Sequence, residues 1–123
     1  MYLEPWGTVE GDGGWSFAYA AGKGALEQLT KLINVELGPK GVHGYTVEPG
    51  FVAYGDDFHQ RLRDGERVAV SPAEVIGPAI AWLVSDPQAQ RLASKRVHLP
   101  SLTAKHRLLA DWDGPGSPYP TRW

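Results

Sequence analysis

The sequence predicts an α/β fold whose parallel strands are joined by crossovers. Three observations predict it. Apolar residues recur at helical spacing up to Gly38-Pro39, a β-branched and aromatic run follows, and a second helix start at Ser71-Pro72-Ala73-Glu74 precedes another short run at Arg96-Val97-His98-Leu99. Two strands are too few to stand alone, because a parallel pair buried on both faces needs neighbouring strands.

Residues 1–15 hold Pro5, Gly7, Gly11, Asp12, Gly13 and Gly14, which predicts a loop or arm. Ser16 is a suitable helix cap, and Leu26, Leu29, Ile33 and Leu37 repeat at spacings of three and four, which predicts a helix over 16–37. Gly38-Pro39 supplies its stop, with Gly38 in the C-cap role. Ala18, Ala20, Ala21, Gly22, Gly24 and Ala25 give the first half of this helix a face that a second backbone can approach closely. Val42 to Val47 reads as a strand that ends at the Glu48-Pro49-Gly50 turn.

Phe51 to Glu66 is mixed, with a weakly helical middle over 57–63. Ser71 at N-cap, Pro72 at N1 and Glu74 at N3 open the next helix. Val75, Ile76, Ala79, Ile80, Leu83 and Val84 give it a wide apolar face that closes before Asp86-Pro87. A last strand is expected at 96–99, a terminal helix over 101–112, and an extended Pro/Gly-rich tail over 113–123. No internal repeat is present.

Composition narrows the function. The chain has no cysteine, which excludes disulfides, thiolate zinc sites and cysteine nucleophiles. With 42% hydrophobic and 21% charged residues it is too apolar for a disordered chain. A net charge of -2 gives no general attraction to nucleic acid or anionic lipid, so neither is expected as a partner. No apolar run approaches the roughly 18 residues of a membrane span, and no secretory signal is visible, so a cytoplasmic location is expected.

Tyr19 and Lys23 stand one helical turn apart and share a face, at roughly 5–6 Å between β-carbons. A phenol is a poor acid near neutrality, with a reference pKa of about 10. A nearby ammonium favours the phenolate, which makes such a tyrosine usable as a general acid or base. On spacing alone, Y-x-x-x-K is short and common, and an ordinary helical pair is the simpler reading.

The surrounding residues reverse that balance. Tyr19-Ala20-Ala21-Gly22-Lys23-Gly24-Ala25-Leu26, followed by Glu36-Leu37-Gly38-Pro39-Lys40-Gly41-Val42, resembles the active-site helix of the short-chain dehydrogenase/reductase family. Val47-Glu48-Pro49-Gly50-Phe51-Val52 resembles the family's next strand and its P-G turn. Ser71-Pro72-Ala73-Glu74-Val75 through Ser85-Asp86 resembles its later helix, so the likeness spans about residues 15–87.

The resemblance implies that 16–112 is the C-terminal part of a Rossmann-like, doubly wound domain whose N-terminal nucleotide-binding unit is missing. It implies hydride transfer between NAD or NADP and a small alcohol or carbonyl substrate. Tyr19 would be the general acid/base, and Lys23 would lower the tyrosine pKa and hold the nicotinamide ribose. Pro49, Gly50, Phe51 and Val52 would pack against the nicotinamide, with the Val52 backbone bonding its carboxamide. The 16–37 helix would suit a homo-oligomer interface, since in the family this helix commonly packs between subunits.

The departures from the family pattern are specific. The glycine-rich phosphate loop is absent, since Gly7, Gly11, Gly13 and Gly14 follow no apolar strand. The family's serine, about thirteen residues before the tyrosine, is Trp6 here, with Thr8 and Ser16 as the nearby hydroxyls. Gly22 replaces the serine inside the helix motif, and Tyr54 stands near the usual threonine. These departures imply weak or no NAD(P)H binding by the chain alone. Two rival readings follow: a non-catalytic interaction or dimerisation module, and a non-functional fragment of a longer family member.

Other residues carry less. His43, His59, His98 and His106 are scattered without ligand spacing, so no metal site is expected. Glu10/Asp12 and Asp56/Asp57 fit turn chemistry. Trp82 is expected in the core, and Trp6, Trp15, Trp112 and Trp123 over an exposed edge or contact surface.

Overall fold

The computed structural model describes residues 17–65 and 69–120. The arm expected over 1–15, the Ser16 cap and Trp123 lie outside the described residues. The fold is α/β: α1 (Phe17–Leu37), β1 (Thr46–Glu48), β2 (Phe51–Ala53), α2 (Gly55–Arg63), β3 (Val70–Pro72), α3 (Ile76–Ser85), β4 (Arg96–His98) and α4 (Leu99–His106). Short 3-10 turns cover Gly38–Lys40, Ala73–Val75 and Pro87–Leu92. The chain divides into two units, residues 1–46 with 92–96, and residues 47–91 with 97–123.

In the first unit, α1 has the expected extent but buries none of its residues. Gly38 does not cap it. The chain continues into the 3-10 turn with Pro39 in its first positions, and Gly41 takes the left-handed conformation at φ 84°, its N–H donating to the Gly38 carbonyl at 2.9 Å. The stop is therefore one turn later than Gly38-Pro39 suggests, because proline fits the start of a new turn and Gly41 alone meets the positive φ.

The strand expected over 42–47 is only Thr46–Glu48. Asn34 explains the loss. Its Oδ1 accepts the Gly44 N–H at 3.1 Å, which takes that donor from any ladder, and its side-chain amide donates at 2.8 Å to the Gly44 carbonyl, which also accepts the Ser94 N–H. Two turns earlier on the same face of α1, Arg96 donates to Glu27 and Lys31 approaches the same carboxylate at 3.6 Å. The Arg96 guanidinium, first by its hydrogen bond and then by its charge, holds the Glu27 carboxyl below the usual carboxylate range against an opposing desolvation.

β1 pairs with β4, and β2 pairs parallel to β3 in the register Phe51–Val70, Val52–Ser71 and Ala53–Pro72. The Ser94 N–H donates to the Gly44 carbonyl just before β1 and β4, and Gly50 abuts His98 just after them, so these two strands also run side by side in one direction.

Three local expectations are corrected in the second unit. Phe51–Ala53 is a strand, where the mixed pattern of 51–66 offered only a weak helix, and that helix runs over Gly55–Arg63. Ser71-Pro72 does not open a helix: Ser71 pairs with Val52, Pro72 is extended at ψ 149°, and α3 begins only at Ile76. Ladder pairing with β2 outcompetes capping for the Ser71 backbone. The terminal helix is Leu99–His106 rather than 101–112, because Pro100 sits in its first turn and Arg107 ends it in the left-handed conformation.

Ala53, Phe58 and Val70 form one buried cluster, with Leu62 and Tyr119 packed against it. Val75, Ala79, Leu83, Val97, Leu99 and Leu102 are also buried. Thr103 is fully buried and donates to the Val75 carbonyl at 2.8 Å, which fixes α4 to the turn before α3. The tail is not merely extended. Gly116 N–H donates to the Val70 carbonyl at 2.8 Å, and a turn closes over Gly114–Ser117. Trp82 is only half-buried and stacks on His106, whereas Trp112 is buried. Val84 at 78% exposure faces solvent, so the apolar face of α3 is narrower than its sequence.

Candidate functional site

Tyr19 and Lys23 occupy successive turns of α1, and helical geometry alone brings them together. The Lys23 ammonium lies over the Tyr19 ring at 5.4 Å from its centroid, within reach of a cation–π attraction. Tyr19 is 38% exposed and Lys23 is exposed, so the phenol stands where a substrate can reach it. Two alanines and two glycines around the pair, Ala20, Ala21, Gly22 and Gly24, raise no side-chain wall beside it, and Gly22 and Gly24 have nothing within 4 Å of a would-be β-carbon.

Pro49, Gly50, Phe51 and Val52 belong to the second unit. Gly50 turns the chain at φ 68°, which favours glycine, and it leads directly into β2. Phe51 is 40% exposed, while Val52 is half-buried and paired to Ser71. The bend follows the carboxyl end of β1, beside the carboxyl end of β4. In open α/β sheets ligands bind outside the carboxyl ends of strands.

His98 is the residue that reading the sequence missed here. It ends β4 and caps α4: its Nδ1 accepts the Ser101 N–H at 3.3 Å and lies 2.7 Å from Ser101 Oγ. The other side of the ring rests on Gly50, where a β-carbon would stand 2.7 Å from Nε2. Pro100 was the available signal, since proline prefers the first turn and so places the cap just before Leu99.

Among the described residues no group of three or more His, Asp or Glu side chains is placed to hold a metal ion. Within the same residues no helix is long and apolar enough to cross a membrane. Comparison with models of known protein families, with curated proteins and with solved structures gives no match to this chain.

Proposed function

We propose that this chain is the nicotinamide- and substrate-facing part of an NAD(P)-dependent oxidoreductase of the short-chain dehydrogenase/reductase type, with a partial Rossmann-like fold. The observation that carries the reading is the Lys23 ammonium seated over the Tyr19 ring on an open helix face. In the second unit, the Pro49-Gly50 bend, which follows β1 and lies against His98 at the end of β4, supports it. Taken separately, the Tyr19–Lys23 pair of the first unit and the Pro49–Val52 segment of the second each resemble a part of the family's nicotinamide site. A glycine-rich loop for its pyrophosphate is absent from the sequence.

The cofactor, when bound, supplies a hydride to the carbonyl carbon of the substrate. Tyr19 holds its hydroxyl proton toward the substrate oxygen and gives it up as negative charge develops there, leaving a phenolate that solvent reprotonates. Lys23 presents ammonium N–H groups to ribose hydroxyls. The Val52 backbone and the Pro49-Gly50 bend orient the carboxamide.

The test is a titration of the isotope-labelled chain with reduced nicotinamide mononucleotide, the part of the cofactor these residues would touch. Amide shifts at Tyr19, Lys23 and Gly50–Val52, saturating in the millimolar range, are expected. Absence of shifts at those positions at tens of millimolar overturns the reading.

A second reading has its own observation. Leu26, Leu29, Leu32 and Val35 are 50–74% exposed along α1, a continuous apolar face of that helix. An interaction module that self-associates through this helix face explains that surface. A strict monomer in light scattering at high protein concentration excludes it.

A further inference from the structure

We propose that His98 is a positioning residue: its imidazole, latched by Ser101, sets the shape of the Pro49-Gly50 bend. Three observations meet at this ring. Its Nδ1 is committed to the Ser101 N–H at 3.3 Å and lies 2.7 Å from Ser101 Oγ, which fixes the ring's orientation. Its Nε2 edge rests against Gly50, 2.7 Å from where a β-carbon would be. Pro100 adds a second wall, with Cγ 3.3 Å from that same point.

The bend is thus held from outside as well as by its own backbone. At φ 68° Gly50 is in a region that side chains seldom adopt, and glycine there is free to relax in many directions. A rigid ring against the α-carbon removes that freedom. The direction of the following Phe51 and Val52 backbone is then set by β4 and α4, through one side chain. Loss of the ring frees the bend even where the helix cap survives.

Its consequence for a ligand rests on the reading of Pro49–Val52 as the nicotinamide-facing segment. If that segment must present the Val52 backbone at a fixed angle, His98 determines how well it does so. The chemical class of ligand is a planar aromatic amide, recognised by backbone groups rather than by charge.

His98→Asn separates this role from capping. Asparagine is a good N-cap and accepts the Ser101 N–H, but it carries no ring to reach Gly50. We expect His98→Asn to leave the helicity of α4 unchanged while moving the amide resonances of Gly50, Phe51 and Val52. Gly50→Ala should lower the unfolding midpoint by roughly 10 °C in the parent chain and by roughly 5 °C on the His98→Asn background, because the clash is relieved and the positive φ remains. Unmoved Gly50–Val52 amides in His98→Asn, or an equal Gly50→Ala loss on both backgrounds, overturns the proposal.

The ligand arm uses reduced nicotinamide mononucleotide. A several-fold weaker dissociation constant for His98→Asn, with Tyr19 and Lys23 shifts retained, supports the positioning role. Equal affinity of parent and variant overturns that role while leaving the proposed function standing. A parent chain that binds no mononucleotide overturns the proposed function, and the thermal and amide comparison then decides His98 by itself.

Discussion

Asn34 shows how one side chain redirects a backbone. It takes the Gly44 N–H that a neighbouring strand would otherwise pair, adds a donor beside Ser94 at the Gly44 carbonyl, and its Nδ2 also reaches the Thr30 carbonyl at 2.8 Å within α1. Asn34→Ala leaves both Gly44 groups without this partner, so a loss of about 1–3 kcal/mol in unfolding free energy is expected by denaturant titration. Ser71 presents the opposite case. Ser71 is 1% exposed and its hydroxyl has no hydrogen-bond partner among the described residues, so it carries a desolvation cost with no return. Ser71→Ala should therefore be neutral or stabilise the chain by up to about 1 kcal/mol, and a loss of more than that would show a partner for Oγ in solution. The sequence made Ser71 look like a helix cap, because the S-P-x-E spelling is local. Its place in a parallel pair depends on residues nineteen positions away.

At the scale of elements, α1 is held to the segment at 92–96 by a polar contact rather than by a buried face. Glu27 and Arg96 form it, with side chains 24% and 15% exposed. The folded state lowers the Glu27 pKa, so this contribution is complete above the carboxyl's unfolded value and is lost as pH falls through the lower folded value. Amide exchange in α1 should rise on acidification below about pH 4, and Glu27→Gln should flatten that dependence while costing about 1 kcal/mol at neutral pH. Helix α4 is tied differently, through buried Thr103 and a cap from His98. Thr103→Val removes the donor to the Val75 carbonyl and should cost roughly 1–2 kcal/mol without altering pH dependence. Helix existence was legible from periodicity. Helix ends were not, since Gly41, Pro100 and Arg107 set them by backbone conformations that composition does not specify.

For the molecule as a whole, the exposed leucines of α1 are apolar surface that its own unit does not bury. A helix that buries none of its residues contributes little to its own unit, yet Leu29 and Leu32 remain half exposed. If copies associate through this face, Leu29→Lys with Leu32→Lys should shift the chain to monomer in sedimentation analysis and leave far-UV helicity nearly unchanged. Aggregation of the parent and not of the variant would point to the same surface. Among the described residues the strands form two pairs rather than one sheet, and short pairs expose their edges to partners.

Local pattern was enough for the α/β class, the two long helices, the Tyr19–Lys23 pair and the bend at Pro49-Gly50. Each depends on neighbours within one turn or a few residues, where spacing and local conformation suffice. Long-range contacts were needed to establish that Val42–Tyr45 is not strand, that Ser71-Pro72 is, and that His98 lies against Gly50. Those outcomes depend on which distant group reaches a backbone N–H, carbonyl or α-carbon first, and chain order does not encode that competition in any local pattern.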